Sequence, residues 1–146
     1  VRLLAARCLA EGEAAGPALA LAEPLSLWGG LDPSSGVVID EHHPQRGAVV
    51  TGRILVMRSG RGSSSSSSVL AEAVRVGTAP AAIVLHEADA IVAIGAIVAR
   101  ELYGSALPVV ALEEPEAYAA ASAAERLAVR AAMGTATVVI DGAAGG

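Results

Sequence analysis

Ile54-Leu55-Val56-Met57-Arg58-Ser59-Gly60-Arg61-Gly62, then serine at every position from Ser63 to Ser68, then Val69-Leu70-Ala71-Glu72-Ala73-Val74, is the stretch on which the fold turns. Six consecutive serines by themselves describe a flexible linker. The flanks argue otherwise. Ser66, Val69, Leu70, Ala73, Val74 and Gly77 recur at helical spacing, with Glu72 and Arg75 off that face, which predicts an amphipathic helix. Gly77 supplies its C-terminal stop, with Pro80 just beyond. The apolar run before the glycines predicts a strand over 52–57, so the serines form a strand-to-helix turn. A serine there can accept a hydrogen bond from the first N–H groups of the helix. Two glycines let the backbone come close to a ligand, and a helix N-terminus beside Arg61 favours an anion such as a carboxylate or phosphate.

Working outward on the C-terminal side, Ala81 to Leu85 is a short continuous apolar run, the mark of a strand covered on both faces. Asp89 opens a second helix over about Ala90 to Leu102, ending near Gly104, and Pro108 to Leu112 makes another buried strand. Strand, helix, strand, helix, strand implies an α/β fold with a parallel core and right-handed crossovers. Pro115 to Ala124 is helical by propensity, with proline at a tolerated first-turn position. Beyond it, the runs 127–131 and 135–140 flank Met133-Gly134 and suit a terminal hairpin. One helix through Ala132 is the alternative. The domain is expected to occupy 1–142, with a flexible tail at 143–146.

On the N-terminal side, Gly12 and Gly16-Pro17 read as turns, leaving short strands near Leu3 to Cys8 and Ala18 to Ala22. Leu25 to Gly36 is too rich in Gly and Pro for regular structure, and long loops in compact domains are often functional. It holds the only tryptophan, Trp28, beside Gly29 and Gly30. That ring is either a core plug or part of an interface or active-site loop with Ser26, Gly29, Gly30 and Asp32. Val37 to Asp40 reads as a short strand. His42-His43 lacks a third ligand at metal spacing, so a solvated or turn-bonding role is favoured.

Composition narrows the function. The chain has 146 residues, 53% of them hydrophobic, which is enough for one domain with a real core. All ten basic residues are arginine and the net charge is −5, so the electrostatic footprint of a nucleic-acid partner is missing. No run approaches the roughly 18 uninterrupted apolar residues of a membrane span. Arg2, Arg7 and the Leu/Ala stretch up to Leu21 are weakly signal-peptide-like, but Glu11 and Glu13 interrupt them, and a cytoplasmic location is expected. Cys8, the only cysteine, cannot by itself hold an iron–sulfur cluster and reads as a small buried apolar residue. A P-loop is excluded because it needs a lysine after its second glycine.

Glu-Pro-Leu-Ser-Leu-Trp-Gly-Gly-Leu-Asp-Pro from Glu23, His43-Pro44 followed by Gly47, Gly60-Arg61-Gly62-Ser63 with its serine run, Ala79-Pro80-Ala81-Ala82-Ile83, and Gly95-Ala96-Ile97 with Pro108-Val109-Val110 together resemble the small subunit of the aconitase X family, over nearly the whole chain. The resemblance implies a swivelling β/β/α domain of the aconitase small-domain type, with mostly parallel core strands in a barrel-like arrangement. It implies a dehydratase that works only with a large subunit. That subunit would carry the iron or iron–sulfur centre, with no cofactor bound by this chain alone. The substrate implied is a small carboxylate: cis-3-hydroxy-L-proline in bacterial members, mevalonate 5-phosphate in archaeal ones. Aligned on Gly60-Arg61-Gly62, the serine that removes the proton next to the carboxylate is Ser63, with Arg61, Gly62, Ser64 and Ser65 binding substrate. The all-serine turn and Leu-Trp-Gly-Gly are similar to the bacterial type. Two rivals stand beside this reading. A phosphohistidine carrier on the same fold would need a histidine at the turn, where this chain has none. A non-catalytic subunit would hold an anion there without doing chemistry.

Overall fold

The alternation of side-chain direction along each strand explains how the layers are built. In the computed structural model, which describes residues 1–62 and 64–141, strands β1 (Arg2–Ala10), β2 (Gly12–Ala20), β5 (Ile54–Met57), β6 (Ala82–Leu85), β7 (Val109–Ala111), β8 (Arg126–Ala132) and β9 (Thr135–Ile140) close into a barrel in the order β1-β7-β6-β5-β2-β8-β9. β2, β5, β6 and β7 run parallel, while β1, β8 and β9 pair antiparallel. Successive strand residues face opposite sides. Ile54, Val56, Ala82, Val84, Val110 and Leu112 therefore join the barrel interior with Leu127, Val129, Val138 and Ile140. Leu55, Met57, Ile83, Leu85 and Val109 face outward into a second core. Helices α2 (Ser65–Val76) and α3 (Ala90–Tyr103) cover that second core with Val69, Leu70, Val92 and Ala96. Burial on both faces is why these strands read as continuous apolar runs.

The segments on either side of the serine turn fold as the periodicity predicts. Ser66, Val69, Leu70 and Ala73 are the buried face of α2, and Gly77 ends it at φ 88° in the left-handed region. Asp89 caps α3, its side chain accepting from the N–H groups of Ile91 and Val92, and Gly104 closes it. Helix α4 (Pro115–Ala123) starts on its proline. The hairpin reading holds for the C-terminal segment: β8 and β9 pair from Leu127↔Ile140 to Ala132↔Thr135. Leu127, Val129 and Ala131 are buried at period two, a spacing a helix could not present to one face.

The N-terminal reading needs correction. Gly16-Pro17 lies inside β2 and is not a turn. From Gly12 to Pro17 this strand pairs antiparallel with β8, and from Ala18 to Ala20 it pairs parallel with β5. Proline, which has no N–H for a ladder, sits where the strand leaves one partner for the other. Gly16 is required there, since a Cβ would lie 2.9 Å from the carbonyl oxygen of Gly52. β1 makes the same kind of exchange, from β9 to β7. These two bent strands close the barrel. Between β2 and β5 the chain forms a one-turn segment α1 (Leu27–Gly30) and a small ladder, β3 (Leu31–Asp32) with β4 (Val37–Val38). The predicted strand over 37–40 is thus shorter, and part of the 25–36 loop is regular. The expected tail at 143–146 lies outside the described residues. No helix among the described residues is long and apolar enough to cross a membrane.

Candidate anion-binding and proton-abstraction site

The serine turn stands at the carboxyl end of β5, between that strand and α2. Gly62 has φ 99°, and a Cβ on it would lie 2.6 Å from Ser26 Oγ. Glycine is therefore demanded twice, by backbone conformation and by the neighbouring loop. Ser63, the predicted base, lies outside the described residues; Gly62 and Ser64 bracket it in the chain. Ser64 is the N-cap position of α2, but its dihedrals are helical (φ −59°, ψ −17°) and its side chain makes no capping hydrogen bond. Ser64 is therefore not the capping serine. The first turn of α2 also holds no acidic side chain. The partial positive charge of a helix N-terminus is largest when no carboxylate of the chain stands over it.

The neighbouring helix makes the opposite choice. Asp89 Oδ1 accepts from Ile91 N (2.9 Å) and Val92 N (3.3 Å), so the N-terminus of α3 is closed by the chain's own carboxylate. The first turn of α2 has no such carboxylate of its own, although Asp89 also lines the recess beside it.

The loop from Leu25 is brought onto the turn. Leu25 bridges Gly60 in parallel, and the Arg61 N–H donates to the Leu25 carbonyl (3.3 Å). The Trp28 N–H donates to Ser66 Oγ (3.3 Å), and the Ser26 hydroxyl donates to the Trp28 carbonyl (3.0 Å). Trp28 is not a core plug: it stands 62% exposed beside the turn. Gly29, at φ 78°, provides the bend, and Gly30 is buried against Leu25. Arg61 is exposed, and among the described residues its guanidinium enters no ion pair. Asp32 is not aimed at the turn. Its carboxylate accepts from Ser34 N, Ser34 Oγ and Ser35 Oγ within its own loop (2.8–3.0 Å). The Ser35 hydroxyl first, then the Ser34 backbone and hydroxyl, hold it below the usual carboxylate range.

Three anchoring residues escaped the reading of the sequence as site components. Ser66 was legible only as part of a helix face, yet it is buried and its hydroxyl holds the Trp28 backbone. A serine on a buried face needs a partner, and that was the available signal. Gln45 clamps the strand end, its side chain accepting from Ala22 N and donating to Ala20 O, both at 2.6 Å. Asp89 read as a helix start only, though its second oxygen accepts from Gly60 N (2.9 Å). Of the solvated and turn-bonding roles expected for it, His43 takes the second and is buried: Nδ1 accepts from Gln45 N (3.0 Å), which leaves Nε2 to donate to the Glu23 carbonyl (3.0 Å).

The recess lined by Leu25, Gly60, Arg61, Gly62, Ser66 and Asp89 measures about 30 Å³, room for one water. Among the described residues no three His, Cys, Asp or Glu side chains converge as metal ligands. Cys8 lies partly buried against the barrel core, and burial, then the negative field of Glu11, raise its thiol pKa, away from the thiolate that binds metal.

A closed mixed barrel, helices over its parallel side, and a Gly/Ser turn at the strand ends together define a swivelling-type α/β domain. The chain belongs to the aconitase X swivel domain family, whose model matches residues 3–139. It is 51% identical over 112 residues to the cis-3-hydroxy-L-proline dehydratase of Pseudomonas aeruginosa, covering 77% of this chain and 19% of that protein. It is 43% identical over 93 residues to the phosphomevalonate dehydratase small subunit of Methanothermobacter thermautotrophicus, covering 64% of this chain and 71% of that one. In three dimensions it matches a chain in the crystal structure of holo aconitase X from Thermococcus kodakaraensis with a TM-score of 0.78 and 30% identity, over 97% of this chain and 99% of that one. The chain thus spans about a fifth of the length of the hydroxyproline dehydratase it matches.

Proposed function

We propose that this chain is the small-subunit half of an aconitase X-type hydro-lyase that removes water from a small hydroxy acid, with Ser63 as the base and cis-3-hydroxy-L-proline as the preferred substrate. The observation that carries this reading is the make-up of the N-terminus of α2 beside Arg61. No acidic side chain stands in its first turn, its N-cap serine makes no side-chain cap, and Arg61 lies beside it, on a recess too small to enclose a substrate. A second protein surface has to complete such a site, and the large subunit is the partner this implies. The 51% identity to the hydroxyproline dehydratase supports the choice of substrate.

In the chemistry proposed, the substrate carboxylate sits on the N–H groups of α2 and on Arg61. Ser63 takes the proton from the carbon bearing that carboxylate. The electron pair of the broken C–H bond becomes the C=C bond as the neighbouring C–O bond breaks, and the hydroxyl leaves with a proton as water. Negative charge grows on the carboxylate as the C–H bond breaks, so a helix N-terminus and a neighbouring arginine stabilise the transition state more than the ground state. A serine hydroxyl is a poor base near neutral pH, and the same positive environment favours its ionised form. The described residues offer no ligand set for the iron or iron–sulfur centre expected of the family, and this reading assigns that centre to the large subunit.

The second reading, a phosphomevalonate dehydratase small subunit, is favoured by the separate small subunits that match over about 70% of their own length. Co-expression with the large subunit and assay on both substrates decides between them. The expected result is turnover of cis-3-hydroxy-L-proline by the pair, none by either part alone, and loss of turnover with intact assembly in Ser63→Ala. Undiminished turnover in Ser63→Ala removes Ser63 as base. Anion binding with no turnover by the parent pair leaves the non-catalytic subunit.

A further inference from the structure

Capping α3 requires one acceptor, and Asp89 uses one oxygen for it. Its other oxygen, Oδ2, reaches a residue 29 positions earlier in the chain and accepts from Gly60 N at 2.9 Å. The contact is close on the carbon side as well: a Cβ on Gly60 would lie 2.7 Å from Oδ2 and 3.1 Å from Val92 Cγ2. Leu25 holds the same residue from the other side through the parallel bridge and the Arg61 N–H. Gly60 and Arg61 are thereby fixed between α3 and the Leu25 loop, one residue before Gly62 begins the serine turn. Asp89 and Gly60 both line the small recess at that turn.

We propose that Asp89 is a positioning residue: its second carboxylate oxygen tethers Gly60 and so sets where the serine turn and the N-terminus of α2 point. The kinetic part rests on the dehydratase reading above, while the tether itself rests only on the geometry. The division of labour between the two oxygens makes it testable. Serine is as good an N-cap as aspartate, so Asp89→Ser keeps an acceptor for Ile91 and Val92 but has no second oxygen for Gly60.

Amide hydrogen exchange on the chain reads the tether directly. In Asp89→Ser the Gly60 amide is expected to exchange about tenfold faster or more, while the α3 amides keep their protection relative to the rest of the fold and the melting temperature falls by only about 3–6 °C, the scale of one lost hydrogen bond. In the assembled pair, kcat is expected to fall about ten- to a hundredfold, the scale of a displaced reacting group. A purely structural cap would lower the amount of folded enzyme and leave kcat per folded molecule alone. Gly60→Ala gives an independent approach if Asp89→Ser folds poorly: the capping carboxylate is retained, the added methyl presses on its Oδ2 and displaces the turn, and kcat falls similarly. Unchanged Gly60 exchange in Asp89→Ser, or faster exchange with unchanged kcat, overturns the proposal. Should the parent pair turn over neither substrate, the dehydratase reading fails, and the exchange arm still decides whether Asp89 holds the turn.

Discussion

Replacing Gly62 by alanine tests whether the serine turn is held as the structure shows. A non-glycine residue at φ 99° costs on the order of 1–3 kcal/mol. The new methyl would stand 2.6 Å from Ser26 Oγ, so that hydroxyl has to rotate away and give up its 3.0 Å hydrogen bond to the Trp28 carbonyl, about 1 kcal/mol more. For 146 residues, the entropy of unfolding makes 1 kcal/mol worth about 3 °C. Gly62→Ala should therefore lower the melting temperature by about 6–12 °C. Ser26→Ala loses only the hydrogen bond, and should cost about 1 kcal/mol. In the double variant the two Cβ atoms would be 3.4 Å apart, ordinary contact, and the hydrogen bond is lost once rather than twice. The double variant should thus be less destabilised than the sum of the singles by about 1 kcal/mol. Urea and thermal unfolding followed by circular dichroism measure all four corners of the cycle. Strict additivity would refute the contact between the loop and the turn. A Gly62→Ala protein as stable as its parent would refute the backbone conformation on which the site depends.

Gly95→Ala should also destabilise, although alanine is the better helix former by about 1 kcal/mol. The added Cβ would lie 3.1 Å from the Ser67 carbonyl oxygen and 3.2 Å from Leu70 Cβ, so α2 and α3 must separate, at about 1–3 kcal/mol for overpacking; a urea midpoint at or above the parent's would contradict this. Asp32 should titrate below the ordinary aspartate range in a carboxyl-detected NMR titration, and Ser35→Ala should move it upward, since the Ser35 hydroxyl is the largest cause of the shift. Because the folded value lies below the unfolded one, the stabilisation is present above the unfolded value and is lost as the pH falls through the folded value. A carboxyl titrating at or above the ordinary value would rule that turn out.

Much of the architecture was legible because it is written in local periodicity. Ser66, Val69, Leu70 and Ala73 fall on one side of any helix that the segment could form, and Ile54-Leu55-Val56-Met57 is apolar throughout because both faces are covered. The glycine stops at Gly77 and Gly104 and the aspartate start at Asp89 depend on dihedral preference and on one or two neighbouring residues. What misled was Gly16-Pro17, where two turn-forming residues sit inside a strand. Their usual cost vanishes there because the strand changes partners and the backbone of Gly52 presses in, facts about residues far away in sequence. For Trp28, a tryptophan beside two glycines suits a buried or an exposed ring equally, and only the packed loop shows it exposed.

The same boundary runs through Gly60 to Val69. By itself the sequence determined that this stretch joins a strand to a helix and that its glycines and Arg61 suit an anion, since capping, periodicity and the helix dipole act within a turn or two. Only the tertiary structure decided which of two adjacent helix N-termini is capped by a carboxylate that also reaches the serine turn. That choice is made by one carboxylate whose two oxygens reach Ile91 and Val92 on one side and Gly60 on the other, and a bond across 29 residues leaves no local pattern in the chain.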